Sequence, residues 1–122
     1  MARILIADDD PDVLELHRMV LEAQGHQVVL ANGPFAALRR LERDGVDLIV
    51  MDLRFPDAAG HSDVREGLAL IRGIACRAPV IVLSGWPDEI YGRPEERMVS
   101  RIMAKPVPPR DLLAAVAELT VE

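Results

Sequence analysis

The sequence predicts a single α/β domain built on a parallel sheet, and three observations lead there. Short apolar runs alternate with stretches whose apolar residues recur at helical spacing, the pattern of strands joined by helical crossovers. Strand-like runs fall at Arg3–Ala7, Gln27–Ala31, 47–51, 79–83 and Arg101–Ala104. Four of these runs end in polar residues: Asp8 and Asp9 after ILIA, Asp52 after DLIVM, Ser84 after PVIVL and Lys105 after RIMA.

The first run leads to Asp10, which can cap a helix whose first position is Pro11. Val13, Leu14, His17, Val20 and Leu21 then repeat at helical spacing up to Gly25. The next helix spans Pro34 to Arg43, with Phe35, Leu38 and Leu41 expected inward. A third covers roughly 66–76, with Leu68, Ile71 and either Ile74 or Ala75 inward. The last starts near Pro109 and uses Leu112, Leu113, Val116 and Leu119. Between the fourth and fifth strand runs, Pro87, Gly92 and Pro94 leave room only for short or broken helix.

A chain of 122 residues suits one domain with a real core. Half of it is hydrophobic while aromatics make up only 3%, so that core is aliphatic and disorder is excluded. The net charge of −6 argues against direct nucleic-acid binding, and Arg39, Arg40 and Arg43 read as a solvated helix face. No apolar run approaches membrane-spanning length, and MARILIADDD enters a strand rather than a signal peptide. A cytoplasmic protein without membrane insertion is expected. Cys76 is the only cysteine and reads as a buried structural thiol.

In a parallel sheet with crossovers, residues just past the carboxyl ends of the strands converge on one edge. Three carboxylates, a hydroxyl and an ammonium would meet there. That set suits holding a hard divalent cation beside a carboxylate nucleophile and neutralising a phosphoryl group transferred onto it. Each segment also has a plainer reading. Asp8, Asp9 and Asp10 could simply cap a helix, Ser84–Gly85 suits a turn, and a lone lysine is usually solvated. Their joint placement after successive strands favours a common site. His17, His26 and His61 lack metal-ligand spacing, and His17 is expected on the inward or boundary face of the first helix. Trp86 reads either as an apolar cover over the crevice or as a partner contact.

The motifs ILIADDDPD, DLIVMDLRFPD, VIVLSGW and MAKPV, in this order, make the chain resemble the receiver domain of two-component response regulators along essentially its whole length. The resemblance implies a five-stranded, doubly wound, flavodoxin-like (βα)5 domain over residues 1–122, strand order 2-1-3-4-5. It also implies a cis peptide at Lys105–Pro106 and a phosphoryl group received from a histidine on a sensor histidine kinase or histidine phosphotransfer protein. Asp52 is then the phosphoacceptor. Asp9 and Asp52 would ligate Mg²⁺ directly, the main-chain carbonyl of Arg54 would add an oxygen, and Asp8 would act mainly through water. Lys105 would pair with phosphoryl oxygens, and Ser84 would donate a hydrogen bond to one.

Three features depart from the family pattern. Ile102, three positions before the motif lysine, stands where an aromatic residue is common, so the switch region of Trp86 and Ile102 would work without an aromatic rotor. About seven extra residues, 58–64, are expected as a mobile loop at the crevice mouth. The weak fourth helix is the third. With one receiver and no effector domain, the output is expected to be a contact with an unidentified protein, either switched or served as a relay. Such a protein catalyses its own aspartyl phosphorylation and dephosphorylation rather than acting as a classical enzyme. The alternatives are a small phosphohydrolase of the haloacid-dehalogenase type, with Asp8 and Asp10 as its acid pair, and a degenerate receiver that only binds partners.

Overall fold

The computed structural model describes residues 1–120. In chain order the elements are β1 (Arg3–Ala7), α1 (Pro11–Glu22), β2 (Gln27–Ala31), α2 (Pro34–Arg43) and β3 (Leu48–Asp52). A short hairpin follows, β4 (Phe55–Pro56) and β5 (Ser62–Asp63), then α3 (Arg65–Ile74) and β6 (Val80–Ser84). Two 3₁₀ turns, Pro87–Glu89 and Pro94–Met98, lead to β7 (Arg101–Ala104) and α4 (Pro109–Leu119). The main sheet runs β2-β1-β3-β6-β7 with every pairing parallel, which is the order 2-1-3-4-5 for the five expected strands.

Alternation along each strand splits the core into two aliphatic layers. Leu5, Ile49, Met51, Val80 and Val82 face the side that also holds Ala37, Leu41, Leu68 and Ile71 of α2 and α3. Ile4, Ile6, Leu48, Val50, Ile81 and Leu83 face the other, with Leu14 and Leu21 of α1 and Leu112 and Val116 of α4. Covering both faces is what lets the central strands be apolar throughout. Each fully buried aliphatic side chain contributes about 1.5–3 kcal/mol, so these layers dominate the stability.

Local chemistry sets the element ends. Asp10 caps α1 by accepting the Asp12 N–H at 2.9 Å, and Pro11 occupies the first turn. The β3 and β6 strands lie one residue later than the sequence suggests, so Asp52 and Ser84 are the last residues of their strands rather than the first beyond them. At the other end of β3, the Asp47 N–H donates to the Arg3 carbonyl at 2.7 Å while its carboxylate accepts the Arg3 N–H at 2.8 Å. In α2 the inward residues are Ala37 and Leu41, one helical turn apart, not the predicted row Phe35, Leu38 and Leu41. Three-residue steps lag a 3.6-residue turn by about 60° each, which carries Phe35 off the buried face. Phe35 is 72% exposed and is covered instead by the Arg39 guanidinium, 5.8 Å from its ring centre.

Cys76 is exposed, contrary to expectation, because α3 ends at Ile74 and the thiol lies in the turn beyond it. Residues 58–64, expected as a mobile loop, form the tip and second strand of a short hairpin. Asp57 Oδ1 accepts the N–H groups of Ala59 and His61, both at 2.9 Å, and Gly60 takes a positive φ of 85°, closing the β4–β5 hairpin. Val64 at its end is core. The segment between β6 and β7 is broken into 3₁₀ turns as expected, and Lys105–Pro106 is cis.

Gly67 in α3 lets this helix close on β3. A Cβ there would lie 1.9 Å from the Leu53 carbonyl oxygen, whereas one at Gly73 would sit 3.6 Å from Leu38 Cδ2, an ordinary contact. Gly67→Ala is expected to cost about 3 kcal/mol or more by overpacking against backbone. Gly73→Ala should instead add about 0.5–1 kcal/mol through helix propensity and a less flexible unfolded chain. Urea unfolding of the two variants checks both signs.

Candidate active site at the carboxyl edge of the sheet

Parallel strands deliver the ends of β1, β3, β6 and β7 to one edge, where β1 and β3 adjoin and the crossover direction reverses. Asp8 is 3% exposed, Asp52 is half-buried and Asp9 is exposed. Their carboxylate oxygens lie within 4.8 Å of one another. Lys105 reaches across, its Nζ 3.3 Å from both Asp8 Oδ2 and Asp52 Oδ2. Asp8 Oδ1 accepts the Asp10 N–H at 2.9 Å and Asp52 Oδ1 accepts the Arg54 N–H at 3.4 Å. Ser84 is 1% exposed; its Oγ accepts the Trp86 N–H at 3.0 Å, which leaves the hydroxyl proton to donate. The Lys105 N–H donates to the Ser84 carbonyl at 2.8 Å, tying the ends of β6 and β7 together.

Three carboxylates facing one ammonium form a site with surplus negative charge and hard oxygen donors. That chemistry fits Mg²⁺, which needs few protein ligands because it keeps several waters. Burial raises the Asp52 carboxyl above its usual range, Lys105 works against this, and Asp8 adds to it. Burial also opposes the charge on Lys105, but Asp52 and then Asp8 outweigh it and hold the ammonium pKa up. Between them, the two shifts describe a carboxylate that is poorly solvated and a cation that stays charged.

The other predicted residues lie further out. Trp86 is 62% exposed at the crevice mouth, with the Arg54 guanidinium 4.7 Å from its ring centre. Ile102 is half-buried on β7, paired with Val82 and packed against the α2–α3 layer of the core. Sequence reasoning did not anticipate Glu89, whose carboxylate takes two hydrogen bonds from Arg54, each 2.8 Å. Those residues are 35 positions apart, with no periodic signal to link them. His17 lies on the boundary face of α1 as expected, its half-buried ring having a buried Nδ1 with no partner among the described residues and a pKa lowered by burial. It lines a groove of about 380 Å³ with Val13, Leu16, Leu83, Lys105, Pro106 and Val107.

The Asp52 shift carries a sign. Between the ordinary aspartate pKa and the raised one, the folded state binds more protons than the unfolded state, so stability falls as pH rises through that window. Above it the full penalty applies. Without divalent cation, Asp52→Asn should therefore be more stable than the unaltered protein near pH 7, and this advantage should shrink on acidification through the window. Urea midpoints across an acid-to-neutral pH series measure the difference.

Comparison with known proteins agrees with this geometry. The model of the response regulator receiver domain matches residues 4–117. The transcriptional regulatory protein KdpE of Mycobacterium tuberculosis is 40% identical over 88 residues, covering 72% of this chain but only 37% of that protein's length. Response regulator TrrA of Thermotoga maritima, solved in complex with Mg²⁺–BeF, superposes with a TM-score of 0.83 at 23% identity, covering 98% of this chain and 99% of that one. A CheY-like receiver domain protein of Methanospirillum hungatei gives 0.79 at 27% identity, with 97% and 92% covered. No helix among the described residues is long and apolar enough to cross a membrane. With its parallel sheet and its acidic cluster at the sheet edge, the chain belongs to the response regulator receiver domain family.

Proposed function

We propose that Asp52 accepts a phosphoryl group from a phosphohistidine, carried by a sensor histidine kinase or histidine phosphotransfer protein, and that the phosphorylated domain switches or serves a protein partner. The observation that carries this reading is the Lys105 ammonium held 3.3 Å from the carboxylates of both Asp8 and Asp52. It marks a place where a cation already faces the nucleophile. In the transfer, an Asp52 oxygen bonds to phosphorus while the P–N bond breaks and the imidazole departs with the bonding pair. The raised pKa of Asp52 makes that oxygen a more basic, better donor.

Lys105 is placed to follow the negative charge from the carboxylates to the phosphoryl oxygens, and Ser84 has a proton to offer one of them. Asp8, Asp9 and Asp52, with the Arg54 carbonyl, would hold Mg²⁺. When bound, the cation supplies charge neutralisation across the phosphoryl group. The hydrolase alternative is disfavoured by Asp10. Its Oδ1 caps α1 by accepting the Asp12 N–H, the plainer role of an acid before a helix, and the receiver family matches residues 4–117. The degenerate alternative is disfavoured because acids, hydroxyl and ammonium all converge on one edge of the sheet.

Incubation with Mg²⁺ and a small phosphodonor should label the protein at Asp52, and Asp52→Asn should abolish labelling. An acyl phosphate mapped to Asp8 would support the hydrolase instead. Mg²⁺ alone should raise the melting temperature by mass action, and much less so in Asp9→Ala. Equal shifts in the two proteins would remove Asp9 from the metal site.

A further inference from the structure

Arg54 follows Asp52 by two residues, yet its side chain turns away from the crevice floor and is held by three groups at the mouth. Its Nε and Nη2 donate to the two Glu89 carboxylate oxygens, each at 2.8 Å. Its plane lies 4.7 Å from the centre of the Trp86 ring, and its Nη1 reaches the Ser62 carbonyl at 3.4 Å. One guanidinium thus joins the end of β3, the β4–β5 hairpin and the first 3₁₀ turn. Both partners of the ion pair keep solvent access, with side chains 35% and 24% exposed, so the pair is weak enough to exchange. Glu89 first, and then Asp63 and Asp52, keep the guanidinium charged.

We propose that Arg54 is an exchangeable phosphoryl ligand: Glu89 holds it in the unphosphorylated protein, and the phosphoryl group on Asp52 takes it from Glu89 and Trp86. The inference rests on the reading of Asp52 as phosphoacceptor. A phosphoryl dianion presents three acceptor oxygens, to which guanidinium binds bidentately as it does to a carboxylate, so the new partner matches the old in geometry and exceeds it in charge. Glu89 is a positioning residue in this scheme. Its loss of Arg54 releases the Pro87–Glu89 turn, which has no side-chain cap of its own. Phosphorylation then reaches the β6–β7 connection through an ion-pair exchange, without an aromatic side chain at Ile102.

The test is a double-mutant cycle on the affinity for beryllofluoride in saturating Mg²⁺, measured by calorimetric titration, with the emission of the sole tryptophan, Trp86, followed alongside. Glu89→Gln should tighten binding, by about two- to fivefold as expected for one exposed pair. The gain should be clearly smaller in an Arg54→Ala background, where only through-space repulsion is relieved. Binding should change Trp86 emission in the unaltered protein and leave it nearly unchanged in Arg54→Ala. In the unaltered protein, the Arg54 Nε–H resonance should move on beryllofluoride binding, a check that needs no substitution. A gain from Glu89→Gln as large in the Arg54→Ala background, or an unmoved Arg54 resonance in the bound state, overturns the exchange while leaving Asp52 as acceptor. Failure of the unaltered protein to bind beryllofluoride at all, together with absent labelling of Asp52, overturns both.

Discussion

Lys105 stands 3.3 Å from the carboxylates of Asp8 and Asp52, and its neighbours in the chain and in space are arranged around that contact. Asp8 is almost wholly buried and Asp52 largely so; carboxylates in such a place are costly unless a cation faces them. One ammonium serves two acids, with Asp9 alongside, so its compensation is incomplete. Burial first, and then the neighbouring Asp8, outweigh the ammonium and raise the pKa of Asp52. An affinity for a hard cation is a consequence of leaving that charge unbalanced.

The sheet makes this economy possible. Parallel pairing in register, Asp52 opposite Leu83 and Ser84 opposite Ala104, brings polar residues from distant parts of the chain to one rim without a polar group entering either core layer. Behind β3, Gly67 lets α3 pack directly on the Leu53 carbonyl, and Phe55, fully buried, anchors the start of the hairpin. The backbone on either side of the Asp52–Arg54 segment is therefore pinned by packing. A carboxylate set on such a rigid frame needs little reorganisation when its charge changes.

The opposite holds for the connection from β6 to β7. Prolines at 87 and 94 and a glycine at 92 with φ of 82° prevent a continuous helix. Ile90, fully buried in the core, anchors the segment, and ion pairs tie the rest of it to the molecule: Glu95 to Arg72 of α3 at 2.5 Å, and Glu89 to Arg54. The rigid end of β3 and the ion-paired connection lie side by side, linked through Trp86, whose N–H is held by Ser84 and whose ring faces Arg54. Electrostatic ties respond to a new charge more readily than aliphatic packing does.

The sheet, its helices and the acidic cluster were legible in the sequence because they rest on local signals. These are apolar runs ended by polar residues, Asp10–Pro11 at a helix start, and prolines that break the fourth crossover. Strand direction then dictated that the polar ends meet. Other features were decided only by tertiary packing. Phe35 lies off the buried face of α2, which Ala37 and Leu41 occupy one helical turn apart. Cys76 became exposed through a helix ending two residues before it. Residues 58–64 closed into a hairpin through the side chain of Asp57, and Arg54 found Glu89 across the crevice mouth. Hydrophobic periodicity reports which residues leave water but carries no information on which distant charges will meet, since ion pairing depends on three-dimensional distance alone.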